Sequence, residues 1–200
     1  MLVASRKVSR LAPVFVLLLM VVLQFAGTAP AQAAGAGPSP IKVIRTSHGT
    51  EQLYDLQQLL GLSGVTTRVV SNTLYVGHGK VSGNLPDITL HGHQGSDLMT
   101  LTISLTFLYY NDHFTCAYGA ASAQPTPNAQ MILVGGLYYG GAYIDGFNLD
   151  SNQWLSYLGD ETGCWNDGDA AVYEMTSAVI ADYPNGGTID LSGSVSGYAL

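Results

Sequence analysis

The chain has 200 residues, 47% of them hydrophobic and only 10% charged, with a formal net charge of −7. That much apolar side chain excludes a disordered polypeptide, which cannot bury enough apolar surface to fold. No Lys or Arg occurs from Val81 to Leu200, which excludes a nucleic-acid or anionic-lipid binding surface, since both need clustered basic side chains.

Arg6, Lys7 and Arg10 precede sixteen mostly apolar residues, 11–26, and Ala31-Gln32-Ala33 offers an A-x-A cleavage site. This pattern predicts a secretory signal peptide over 1–33. The competing reading is a membrane anchor, which asks for about 20 apolar residues; Pro13 and Gln24 interrupt this run. The expected protein is therefore secreted and extracellular, with no stable membrane anchor after cleavage. Cleavage leaves four basic against 14 acidic side chains, a net charge of −10. Residues 34–40 read as a flexible linker rich in small residues, and 41–200 as one domain by length.

Within that domain 41–46 reads as a strand. Thr50 is a candidate N-cap for a short helix carrying Leu53, Leu56 and Leu60, stopped at Gly61. A hairpin is expected over 66–70 and 73–77, turning at Ser71-Asn72. The Tyr54-Asp55-Leu56 and Leu59-Leu60-Gly61 segments, with Val69, Leu74 and Val76 after them, make 41–77 a possible strand–helix–hairpin subdomain. It resembles the small stalk domain at the N-terminus of copper amine oxidases and of many secreted surface proteins, a resemblance that implies no catalytic residue. The next strand is expected at 87–93. The clearest is 98–110, where Leu101, Ile103, Leu105, Phe107 and Tyr109 alternate with Thr100, Thr102, Ser104 and Thr106, giving one buried and one hydroxyl-lined face. Further strands are expected at 129–134, 137–144 and 188–198; 170–181 fits either a strand or a helix. Turn residues recur at Gly95-Ser96, Pro125-Thr126-Pro127-Asn128 and Asn185-Gly186-Gly187. The predicted fold is mainly β, a two-sheet antiparallel sandwich or a small barrel, with one short N-terminal helix.

Cys116 and Cys164 are expected to form one disulfide in an oxidising compartment; free thiols or an intermolecular bridge are the alternatives. His91-Gly92-His93 places two imidazoles on one face of a strand. They are candidate ligands of Zn²⁺ or Cu²⁺, with Asp97, His78 or His113 completing the set. The H-x-H fragment is similar to that of cupins and of copper–zinc superoxide dismutases, but the flanking residues match neither pattern. The opposing reading is two surface histidines beside a glycine turn.

The stretch 145–169 holds six of the 14 acids, Asp145, Asp150, Asp160, Glu161, Asp167 and Asp169, together with Asn148, Asn152, Asn166 and both tryptophans, Trp154 and Trp165. Read as a loop, it offers oxygen ligands to Ca²⁺. It equally suits a sugar ring, whose C–H groups stack on an indole while carboxylates and amides take the hydroxyls. Its spacing is not that of an EF-hand. The plainer alternative is a solvated acidic loop anchored by its tryptophans. Tyr109, Tyr110, Tyr138, Tyr139 and Tyr143 divide between a binding surface and ordinary sheet packing. An Asp160–Asp169 pair is a conceivable glycoside-hydrolysing dyad, but there is no G-x-S-x-G elbow and no phosphate loop. The expectation leans away from an enzyme and towards a secreted binding or surface module, with an extracellular glycan as ligand. The alternatives are an extracellular metal protein or enzyme using His91 and His93, and a membrane-active β-barrel or pore former.

Overall fold

The computed structural model describes residues 42–46, 49–55, 64–77, 80–82, 87–91, 97–166 and 172–199. They form β1 (Lys42–Thr46), β2 (Gly49–Asp55), β3 (Val65–Gly77), β4 (Lys80–Ser82), β5 (Asp87–His91) and β6 (Leu98–Tyr110). The second half adds β7 (His113–Thr126), β8 (Ala129–Tyr139), β9 (Ala142–Leu155), β10 (Leu158–Glu161), β11 (Val172–Asp182) and β12 (Thr188–Tyr198). One sheet has the order β1-β2-β3-β6-β7-β10, with β4 also on β3; the other runs β5-β12-β11-β8-β9. Every pairing is antiparallel.

The alternation in β6 builds the centre. Met99, Leu101, Ile103, Leu105 and Phe107 are fully buried, and so are Met131, Leu133 and Leu137 of β8, Tyr173, Met175 and Val179 of β11, and Ile189 and Leu191 of β12. These side chains from both sheets form one core. Fully burying each such residue contributes about 1.5–3 kcal/mol. The other face of β6 is only partly the expected solvated hydroxyl row. Thr100 and Thr102 are half-buried, whereas Ser104, Thr106 and Leu108 are buried.

The sheets do not close into a barrel, because each path ends in edge strands, β1 and β10 in one sheet and β5 and β9 in the other. The small-barrel alternative is therefore corrected to two open sheets, and the described strands do not form the closed wall that a membrane-active barrel requires. The N-terminal helix is corrected as far as it is described. Thr50 to Asp55 lie in β2, paired with β1 on one side and β3 on the other; 56–63 fall outside the described residues. Local leucine spacing yields here to ladder hydrogen bonds on both flanks. The expected signal peptide and linker over 1–40 also lie outside the described residues.

Three further boundaries differ from the sequence reading. Residues 65–77 form a single strand, with no turn at Ser71-Asn72. The Ser71 hydroxyl donates to the Thr50 carbonyl of the neighbouring β2 at 3.4 Å, and the buried Asn72 amide donates to the Ser194 carbonyl of the other sheet at 3.3 Å, so both turn-forming side chains are satisfied without a turn. Gly135-Gly136 does not interrupt β8. A Cβ on Gly135 would stand 2.3 Å from the Phe147 ring and 2.7 Å from the Met175 methyl, so the glycine makes room for core side chains. The chain turns instead at Gly140 and Gly141, both at positive φ, as a tight hairpin requires. The strand β7, unrecognised in the sequence, is rich in Ala and Gly. It must be small, because a Cβ on Gly119 would meet the Met175 sulfur at 2.3 Å.

Candidate functional site

Much of the acidic stretch is strand: 145–155 lie in β9, an edge strand of the second sheet, and 158–161 form β10, an edge strand of the first. After β10 the chain stays against β7. Thr162 N donates to the Gly119 carbonyl at 2.8 Å, and Trp165 and Ala117 exchange two 2.8 Å backbone bonds. The Cys116–Cys164 disulfide forms at this seam, with Cα atoms 5.5 Å apart.

Asp145 ties the seam to β9. Its Oδ2 accepts from the Trp165 indole N–H at 2.7 Å and from Gly163 N at 2.8 Å, while Oδ1 accepts from Gly146 N at 2.9 Å. Trp165 is partly buried against the core. Asn166 donates to the Thr115 carbonyl at 2.8 Å. These residues fasten the sheets at their seam. Asp160 is exposed, and its Oδ1 accepts from Glu161 N at 2.9 Å. Burial, with the Asp160 charge added to it, raises the Glu161 pKa above the usual carboxylate value. Asp167 and Asp169 lie outside the described residues, so the proposed Asp160–Asp169 dyad and an Asp167–Asp169 calcium pair do too.

The other tryptophan is placed differently. Trp154 is 46% exposed near the end of β9. Two amides, Asn128 before β8 and Gln130 within it, are fixed to the backbone beside it. Asn128 donates to the Trp154 carbonyl at 3.4 Å, and Gln130 to the Asn152 carbonyl at 2.7 Å. Each retains an amide oxygen and a second N–H for other partners. Asn152 and Gln153 are exposed on the same segment. The sequence reading found Trp154 and Asn152 but missed Asn128, which stood in a turn signal, and Gln130, which stood in an ordinary strand.

Of the histidine cluster, His91 ends β5 opposite Thr188, and His93 lies outside the described residues, as does His78. Asp97 is fully buried near that end, and both its oxygens accept from the Asn185 amide, at 2.8 and 2.9 Å. His113 follows the far end of β6, roughly 40 Å from Asp97 at 3.3 Å per residue, so these two cannot share an ion. Among the described residues no group of three or more His, Cys, Asp or Glu side chains gathers. The tyrosines divide. Tyr109, Tyr139 and Tyr173 stack with Phe107 and Phe114 between the sheets, with ring centroids 4.9–6.4 Å apart. Tyr138 and Tyr143 pair edge to face at 5.7 Å; Tyr143 is 62% exposed, as is Tyr110 in large part.

No family model, curated protein or solved structure matches the chain. Among the described residues, no helix is long and apolar enough to cross a membrane.

Proposed function

We propose that this protein is a secreted, non-catalytic binding module that takes a neutral carbohydrate at the Trp154 end of β9. The observation that carries this reading is the half-exposed Trp154, on a segment whose backbone carbonyls already anchor the Asn128 and Gln130 amides. An indole left in water where the β8–β9 ladder is irregular, between Ser151 and Leu155, is a stacking platform for a sugar face. Preset amides lower the ordering cost of binding hydroxyls. The absence of basic residues from 81 onward disfavours an anionic polysaccharide. Export is supported by the basic–apolar–AQA start of the chain, and a disulfide is compatible with an oxidising compartment.

The test is a glycan array, followed by titration of the best neutral ligand. Removing one stacked ring by Trp154→Ala should weaken binding about tenfold or more. Binding that survives this substitution, or no binding to any neutral glycan, would sink the proposal.

A further inference from the structure

The outward face of the second sheet has an unusual composition for a surface facing water. Ile180 of β11 stands opposite Ile132 of β8, and Ala178 stands opposite Val134. Ile132, Val134 and Ile180 are 41, 38 and 40% exposed. They form a compact aliphatic patch at the middle of the sheet. Carboxylates surround it. In the Ile180–Ile132 row, Asp190 lies beside Ile180 and Asp150 beside Ile132. Along β11, Asp182 comes two residues after Ile180, and Glu174 four residues before Ala178 on the same face.

None of these acids has a cation on its own sheet. All five strands lie between residues 87 and 198, and this part of the chain contains no Lys or Arg. Only one of the acids has a hydrogen bond recorded among the described residues, Asp182 with the Thr188 hydroxyl at 2.7 Å. Asp150 and Asp182 are exposed, Asp190 and Glu174 half-buried.

We infer that this face docks a cationic amphipathic helix of a partner protein, with its apolar stripe on Ile132, Val134 and Ile180 and its Lys or Arg side chains over Asp150 and Asp190. The dimensions fit. Three strand spacings separate Asp190 from Asp150, roughly 14 Å, and a helix with its side chains is about 10–12 Å wide. The two carboxylates therefore reach the two flanks of one helix. Aliphatic anchors between complementary charges are how an amphipathic helix is gripped by a surface, and the charges would also speed encounter. A second copy of this chain fits worse, because face-to-face pairing would bring carboxylates against carboxylates. A sugar fits worse, because the patch offers no aromatic ring for stacking.

The test uses the full exported chain and a labelled 18-residue Leu/Lys amphipathic helix, read by fluorescence anisotropy at low and physiological salt. A peptide of the same composition with Leu and Lys scrambled is the control. The helix should bind more tightly than the scrambled peptide, and less tightly as salt rises. The double variant Asp150→Asn/Asp190→Asn should lose about tenfold in affinity, two exposed pairs at roughly 0.7 kcal/mol each. Ile132→Thr/Ile180→Thr should lose at least as much while keeping the thermal transition of a folded protein. Equal binding of the scrambled peptide, no binding of either, indifference to the Ile pair, or a dimer that the Ile pair dissolves would each overturn the inference.

Discussion

Asp145 illustrates how one carboxylate can decide what a neighbouring tryptophan is for. Its three accepted hydrogen bonds, from Trp165, Gly163 and Gly146, commit Trp165 to the seam and leave Trp154 as the indole available to a ligand. Hydrogen bonds to an ionised acceptor contribute about 1.5–3 kcal/mol, and Asp145→Ala leaves three N–H groups needing other partners. The variant should lose about 2–3 kcal/mol in urea unfolding, with its tryptophan emission shifted to longer wavelength as water reaches Trp165. A midpoint like that of wild type would show that Asp145 does not hold the seam. The sequence marked Asp145 only as one of six acids in a run. Its role depends on partners 18 and 20 residues away, and no local pattern encodes that pairing. Trp154 and Trp165 looked equivalent in the sequence for the same reason.

The elements show which local signals survive tertiary context. Strands β6 and β12 match the expected bounds, because their two-residue alternation is long and each has one face in the core. β2 and β7 do not. Leu53, read as part of a helix, and the small residues of β7 lie instead in strands whose neighbours on both sides supply the hydrogen bonds. The Asn111-Asp112 turn between β6 and β7 was readable in principle: both residues have positive φ, which Asn and Asp tolerate better than most. The disulfide was legible from the expected signal peptide and the cysteine count, and it holds β10's extension against β7. It closes a loop of 48 residues, worth about 4 kcal/mol in the chain-entropy model. Five hydrogen bonds to β7 remain around it when it is absent: three between backbones, one from Gly119 N to the Thr162 hydroxyl at 3.0 Å and one from the Asn166 amide to the Thr115 carbonyl. Cys116→Ala/Cys164→Ala should therefore lower the unfolding free energy measured in urea by that order while leaving the far-ultraviolet circular dichroism of the native protein intact. Loss of sheet signal without denaturant would mean that the bridge is needed to form the seam, not only to restrict the unfolded chain.

For the whole molecule, the decisive asymmetry lies at high pH. Tyr118, 3% exposed, has its phenol pKa pushed far above the usual value by burial; the Thr106 hydroxyl opposes this in part, and the Glu161 charge adds a smaller push upward. Tyr183 is shifted in the same direction by burial and by the Asp97 charge, and its hydroxyl donates to the Leu98 carbonyl at 2.6 Å. Both groups keep their protons in the folded state where the unfolded chain, with phenol pKa near 10, releases them. The folded state then binds more protons than the unfolded, so stability falls as pH rises. It is fully present below about pH 10, and each phenol removes about 1.4 kcal/mol per pH unit above it. Two phenols double that slope, and the net negative charge adds repulsion in the same direction. Alkaline unfolding should thus be steep and should coincide with ionisation of these tyrosines, followed by absorbance near 295 nm. Tyr118→Phe should reduce the slope by about one proton. Tyr183→Phe should do the same from a lower starting stability, since its hydrogen bond to β6 is lost. If both phenols ionised below pH 11 while circular dichroism still reported a folded protein, burial would not be what holds their protons.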